Sequence, residues 1–185
     1  MQDKEKTEPF INHLLRLRDN PDEGDARAAL ATLRHGLTQA PGDDKAMYRY
    51  VVPFLTTNPS PWRDQVYFLV ASLFAWHPGK KEQGEIQGNM GAHFAATIQS
   101  EDDRSAVDRR FTALLSADSD DLTDYLRQAV GFLRSRQPAV PINWHRLFSD
   151  LLNWNHESGY VQKEWARRFW GKPNKETEQQ SANNS

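Results

Sequence analysis

Residues 66–76 form an eleven-residue run in which Ser72 is the only side chain that is not hydrophobic. The run is far shorter than the roughly 20 residues needed to cross a bilayer, so it has to be covered by protein. Its residues are apolar at every helical position rather than along one stripe, the pattern of a helix buried on all sides. What surrounds that helix decides the fold class. No segment shows sustained period-two alternation, and no repeat recurs at a fixed spacing.

Helical periodicity occupies most of the remaining chain. Phe10, Leu14 and Leu17 predict a first helix over 8–18, broken at Asn20-Pro21. Ala26, Leu30, Leu33 and Leu37 predict one face of a second over about 25–37, with Pro41-Gly42 beyond it. Asp43 or Asp44 can cap a third through Met47, Tyr48 and Val51, and Pro53 bends or ends it. Pro59-Ser60-Pro61 opens the buried helix, 62–76, and His77-Pro78-Gly79 stops it. The glycine-rich stretch 79–91 reads as a mobile loop, followed by a short helix over 90–98. Acidic starts at 101–103 and 118–121 suit the positive end of the helix dipole. They lead into helices carrying Val107, Phe111 and Leu114, then Leu122, Leu126, Val130 and Leu133. A rigid linker at 137–141 precedes two last helices, about 142–154 and 157–170. The expectation is an all-α chain of about nine helices in two bundles. Residues 1–100 form the N-terminal helical bundle, residues 101–172 a four-helix bundle, and the polar residues 173–185 a disordered tail.

Several function classes fall away. The 185 residues contain no cysteine, which removes disulfides, thiol catalysis and cysteine-ligated metals. No charged segment followed by an apolar one opens the chain, so a soluble, cytoplasmic protein is expected. Histidines 13, 35, 77, 93, 145 and 156 include no i, i+4 pair and no HExxH, and neither a metal nor another cofactor is expected. GxxxxGK[ST] and GxSxG are absent, and the glycines at 84, 88 and 91 lack the preceding strand a dinucleotide loop requires. The carboxylates at 101–103 and 118–121 sit where helix starts favour them rather than as an acid/base pair. An enzyme is not expected.

Charge is more informative than its total. The net value of −2 combines −5 over residues 101–125 with +5 over residues 126–172, and arginines outnumber lysines 15 to 8. Arginine suits bidentate contact with phosphate. Arg27 and Arg34 are seven apart and so share one side of the second helix; Arg127 and Arg134 repeat that spacing, with Gly131 between them leaving the backbone open. Lys163 and Arg167 lie i, i+4 on the outer side of the last helix, and Arg109-Arg110 add two more cations. Such stripes can follow a phosphate backbone. The competing reading is solvated faces paired with their own acids. It is weakest over 127–136, because no acid occurs between Asp124 and Asp150. Trp144, Trp154, Trp165 and Trp170 could stack exposed bases or, at helical spacing beside leucines, pack in the core.

The ordered segments are similar to a known family. Residues 28–36 (AALATLRHG), Pro41-Gly42, 48–51 (YRYV), 69–78 (LVASLFAWHP) and 88–91 (GNMG) resemble the CasB family. So do 108–115 (DRRFTALL), Asp120-Asp121-Leu122, Leu126-Arg127, 142–144 (INW), 150–154 (DLLNW) and 165–170 (WARRFW). CasB proteins are the small subunit of the type I-E CRISPR surveillance complex, Cascade. The resemblance implies an all-helical, two-bundle subunit without catalytic activity. Its implied partners are the guide-RNA backbone subunits, the large subunit and a second copy of itself. It further implies contact with crRNA and with the target and non-target DNA strands, stabilising the R-loop, and no membrane. Arg34 matches the family's arginine in the second helix, Arg63 its basic residue opening the buried helix, and Arg109, Arg110 and Arg127 its basic C-terminal positions. The chain departs from the family at the last helix. Bases are expected around its start, whereas Lys163 and Arg167 come later, near Glu157 and Glu164. A protein–protein adaptor with no nucleic-acid contact is the alternative.

Overall fold

The structure, a computed structural model, describes residues 4–56, 60–81 and 86–171. The expected tail at 173–185 and part of the glycine-rich loop, 82–85, lie outside the described residues. Nine α-helices and no strand occur among those described: α1 (Lys4–Asp19), α2 (Ala26–His35), α3 (Tyr48–Val51), α4 (Pro61–Trp76), α5 (Met90–Ala95), α6 (Glu101–Leu115), α7 (Leu122–Ser135), α8 (Trp144–Leu152) and α9 (Tyr160–Trp170). Short 3-10 turns flank α3 and follow α2. The all-helical reading holds, and among the described residues no helix is long and apolar enough to cross a membrane.

The helix ends follow from local chemistry. Ser100 caps α6 by accepting from the Asp103 amide, Asn89 caps α5 through Ala92, and Asn143 caps α8 through Arg146. The last helix begins at Tyr160, later than its pattern suggests, because Gly159 takes a left-handed conformation (φ +58°) just before it. In α2 the buried face is Ala26, Ala29 and Leu33, continued by Gly36 in the next turn, with Leu30 only half-buried. The leucine stripe of the sequence is therefore rotated by about one residue. Small side chains at 29 and 36 let α2 lie close to α4, and Met47 and Ser72 fill the space beside Gly36.

α4 is the hub. Every residue from Val66 to Ala75 is buried, as its all-round apolarity requires. The helices pack in two groups, α1, α2, α3, α4 and α8 in one and α5, α6, α7 and α9 in the other, joined where α4 meets α7. Phe10 of α1, Tyr67 of α4 and Phe148 of α8 meet with ring centroids 4.8–5.2 Å apart, and Phe74 of α4 meets Trp144 of α8 at 5.4 Å. In the second group Phe111 of α6 contacts Phe94 of α5 at 5.2 Å and Phe169 of α9 at 4.3 Å. Phe94 also contacts Phe132 of α7 at 5.6 Å. Burying each such ring contributes about 2 kcal/mol. Membership of the groups does not follow chain order: α8 packs on α1 and α4, while α5 packs on α9 and α6.

The α5–α9 contact is the tightest among the described residues. A Cβ on Gly91 would lie 1.9 Å from the Trp165 carbonyl oxygen, so only glycine permits this approach. Asn89 Nδ2 donates to the Glu164 carbonyl at 3.2 Å across the same seam. Trp165 Nε1 donates to buried Asp150 at 2.6 Å, and Arg146 Nε donates to the same carboxylate at 2.8 Å. Burial pushes the Asp150 carboxyl up, and these two donors oppose that shift without cancelling it. The pairing ties α8 to α9.

Candidate nucleic-acid interface

Two of the arginines singled out by spacing, Arg34 and Arg134, meet at the C-terminal end of α4. Helix ends leave carbonyls without partners, and the negative end of the dipole favours cations. Arg34 of α2 fills this role: its Nε donates to the Ala75 carbonyl at 3.2 Å. Arg18 of α1 adds a donor just beyond, to the Pro78 carbonyl at 3.1 Å, while pairing with Asp19. From the other side Arg134 of α7 lies over the Trp76 ring, 5.5 Å from guanidinium carbon to centroid. One helical turn back, Gly131 seats the same indole; a Cβ there would lie 2.8 Å from its Cη2. The backbone at Gly131 is thus covered by Trp76 rather than open to a ligand, correcting the sequence-based expectation.

Arg127, seven residues before Arg134, reaches the Gln39 carbonyl at 2.5 Å and pairs with Asp124 at 3.1 Å. Its side chain is 25% exposed, so its charge is partly neutralised and partly shielded. The absence of acids beyond Asp124 left that i, i+3 partner in place. Arg34 and Arg134, both exposed, make no ion pair with any described residue. The result is a cationic strip across the α2–α7 seam with Trp76 at its centre.

The remaining candidates lie elsewhere. Arg63 is half-buried at the opposite end of α4, about 20 Å along the axis from Trp76. Arg109 and Arg110 project from α6 towards the other side of α7, where Arg110 lies over the Phe132 ring at 5.2 Å. Arg136, which spacing did not single out, approaches the same ring at 5.5 Å and donates to the Thr97 carbonyl. Its signal was weak: it falls at the end of α7, off the i, i+7 stripe. On α9, Lys163 Nζ donates to the Ser158 carbonyl at 2.7 Å and Arg167 pairs with Glu164. Of the four C-terminal tryptophans, Trp144, Trp154 and Trp165 are core residues. Trp170 is 47% exposed, its Nε1 donating to Asp108 at 2.6 Å.

The buried histidines serve the fold. His93 Nε2 accepts from the Asn143 amide at 3.1 Å, and burial depresses its pKa to about 4. His77 Nε2 donates to the Val140 carbonyl at 2.8 Å, and burial lowers its pKa too. Among the described residues no three His, Asp or Glu side chains converge as a metal site.

The fold is shared with small all-helical CRISPR-associated proteins of known structure. The sequence profile of the family described as CRISPR-associated protein Cse2 matches residues 29–170. The CRISPR-associated protein Cse2 of Thermus thermophilus is 33% identical over 167 residues, 89% of this chain and 89% of the relative. The crystal structure of CasB from Thermus thermophilus matches with a TM-score of 0.72 at 30% identity, over 90% of this chain and 98% of that one. A chain of a CRISPR RNA-guided surveillance complex shares the fold, with a TM-score of 0.71 at 24% identity over 97% of this chain and 98% of its own. The protein belongs to the Cse2 family, also called CasB.

Proposed function

We propose that this chain is the non-catalytic small subunit of a CRISPR RNA-guided surveillance complex and that it stabilises the R-loop by holding nucleic-acid backbone on its cationic strip. The observation that carries the reading is the convergence of Arg34 and Arg134 on the C-terminal end of α4, both without a carboxylate partner among the described residues, with Arg127 two turns before Arg134 on α7. Guide–target base pairing supplies sequence choice, so this subunit needs only to bind phosphates, and arginine does that without reading bases. The displaced non-target strand and the target strand are the ligands, with crRNA contacts through the neighbouring guide-RNA backbone subunits. Arg109 and Arg110 extend the interface on the far side of α7, while Arg63, Lys163 and Arg167 serve separate contacts.

A net charge of −2 gives weak binding by the free chain. Assembly beside the large subunit and a second copy raises the effective concentration of the strip around the DNA. The test is R-loop formation by complexes carrying Arg34→Ala, Arg127→Ala and Arg134→Ala together. R-loop yield at physiological salt is expected to collapse while the complex still assembles. Unchanged target affinity, with assembly instead lost on charge reversal, would transfer the strip to a protein partner and support an adaptor.

A further inference from the structure

A cavity of about 230 Å³ opens between α6 and α7, away from the strip at the end of α4. Phe94, Ala113 and Ala129 give it apolar lining; Tyr125, Gln128, Arg109 and Arg110 complete it. Phe94 is fully enclosed beneath, and no carboxylate takes part in the lining. The Tyr125 hydroxyl, the Gln128 amide and the Arg109 guanidinium make no hydrogen bond or ion pair with any described residue. Arg110 is held separately, donating to the Ala106 carbonyl and lying over Phe132. An aromatic and methyl-lined slot, one unengaged amide and one unengaged cation therefore meet at one opening.

We infer that this cavity receives a single unstacked nucleobase, with the adjoining phosphate on Arg109. The inference rests on the proposed nucleic-acid function and adds a base-holding site to it. A planar heterocycle needs an apolar slot with an aromatic face, which the half-buried Tyr125 supplies above the Phe94 floor. Its edge carries both donors and acceptors, and a carboxamide satisfies either kind, so Gln128 holds a base without selecting a sequence. The volume falls below the roughly 300–1,000 Å³ of sites for drug-sized ligands, which suits one base rather than a folded segment. The positive rim and absence of acids favour an anionic strand over a basic peptide.

The experiment compares two single strands of equal length and charge whose remaining positions are all abasic, one carrying a single fluorescent adenine analogue and the other an abasic residue at the same place. Binding is measured for the full chain and for the assembled complex. The base-bearing strand is expected to bind about tenfold more tightly, with the fluorophore quenched. Gln128→Ala and the cavity-filling Ala113→Leu are each expected to remove that preference while leaving abasic-strand binding unchanged. Gln128 is exposed, so its variant is informative even where Ala113→Leu fails to fold. Equal affinity for the two strands overturns the base site and leaves phosphate binding intact. Failure of the assembled complex to bind either strand overturns both. Loss of assembly in Ala113→Leu with base preference retained in Gln128→Ala assigns the cavity to a protein partner and overturns the inference.

Discussion

α7 and α9 both carry cations at helical spacing, yet they put them to different uses. On α7, Arg134 is braced by the face of Trp76 with no acid beside it, while Arg127 reaches the Gln39 carbonyl and shares part of its charge with Asp124. On α9, Arg167 is neutralised by Glu164, three residues back on the same helix, and Lys163 folds onto the Ser158 carbonyl. α9 is instead the more tightly seated, through Gly91 against its backbone and Asp150 against Trp165. A charge held by neutral groups remains available to a ligand, whereas an exposed pair with its own acid adds little stability and little field. α7 is thus a presenting helix and α9 an anchoring one.

The strongest way to break that division is Gly91→Ala. Its Cβ would drive α5 off the α9 backbone, and a loss of roughly 3 kcal/mol is expected in denaturant unfolding. An unchanged midpoint would show that the seam is looser than its geometry. The complementary change, Arg34→Ala with Arg127→Ala and Arg134→Ala, should cost less in unfolding, about 2 kcal/mol from the lost contacts to Ala75, Gln39 and Trp76. DNA affinity of the complex should fall on the order of thirtyfold, and the slope of log affinity against log salt should drop by about 2–3.

Acidification probes the anchoring side again. Folded His93 stays neutral to about pH 4, whereas in the unfolded chain it protonates near 6.5. Between those values the unfolded chain holds more protons, so stability is full above 6.5 and declines as pH falls. His77, also lowered, adds to the decline, and Asp150, raised by burial, opposes it. About 2 kcal/mol should be lost from His93 between pH 6.5 and pH 5, and His93→Gln should flatten that part of the profile. The smallest effect belongs to Lys163→Ala with Arg167→Ala, where DNA affinity should change by no more than about twofold. A salt slope reduced as much as by the α7 changes would remove the contrast between the helices.

The outline of this comparison was legible in the sequence. All-round apolarity marked α4 as the buried hub, and i, i+7 spacing put Arg127 and Arg134 on one side of α7. Spacing along one helix carries no record of what the next helix brings. It left open whether Trp76 or solvent would lie over Gly131, and it hid the reach of Arg127 to Gln39, 88 residues away. It also misplaced the buried face of α2. There leucine outweighed alanine in the pattern, but the close approach to α4 selected the smaller residues. Arg136, Tyr125 and Gln128 passed unnoticed because a slot between two helices is set by packing, which one-dimensional periodicity does not report.

The exchange of α5 and α8 between the groups bears on how the chain is made. α8 covers Phe10, Tyr67 and Phe74, yet it is synthesised after α5, α6 and α7. The first group therefore cannot close on the ribosome until residues near 152 have emerged, nor the second until α9 follows. A nascent chain released at residue 100 would carry an uncovered apolar face, the kind of surface that chaperones bind.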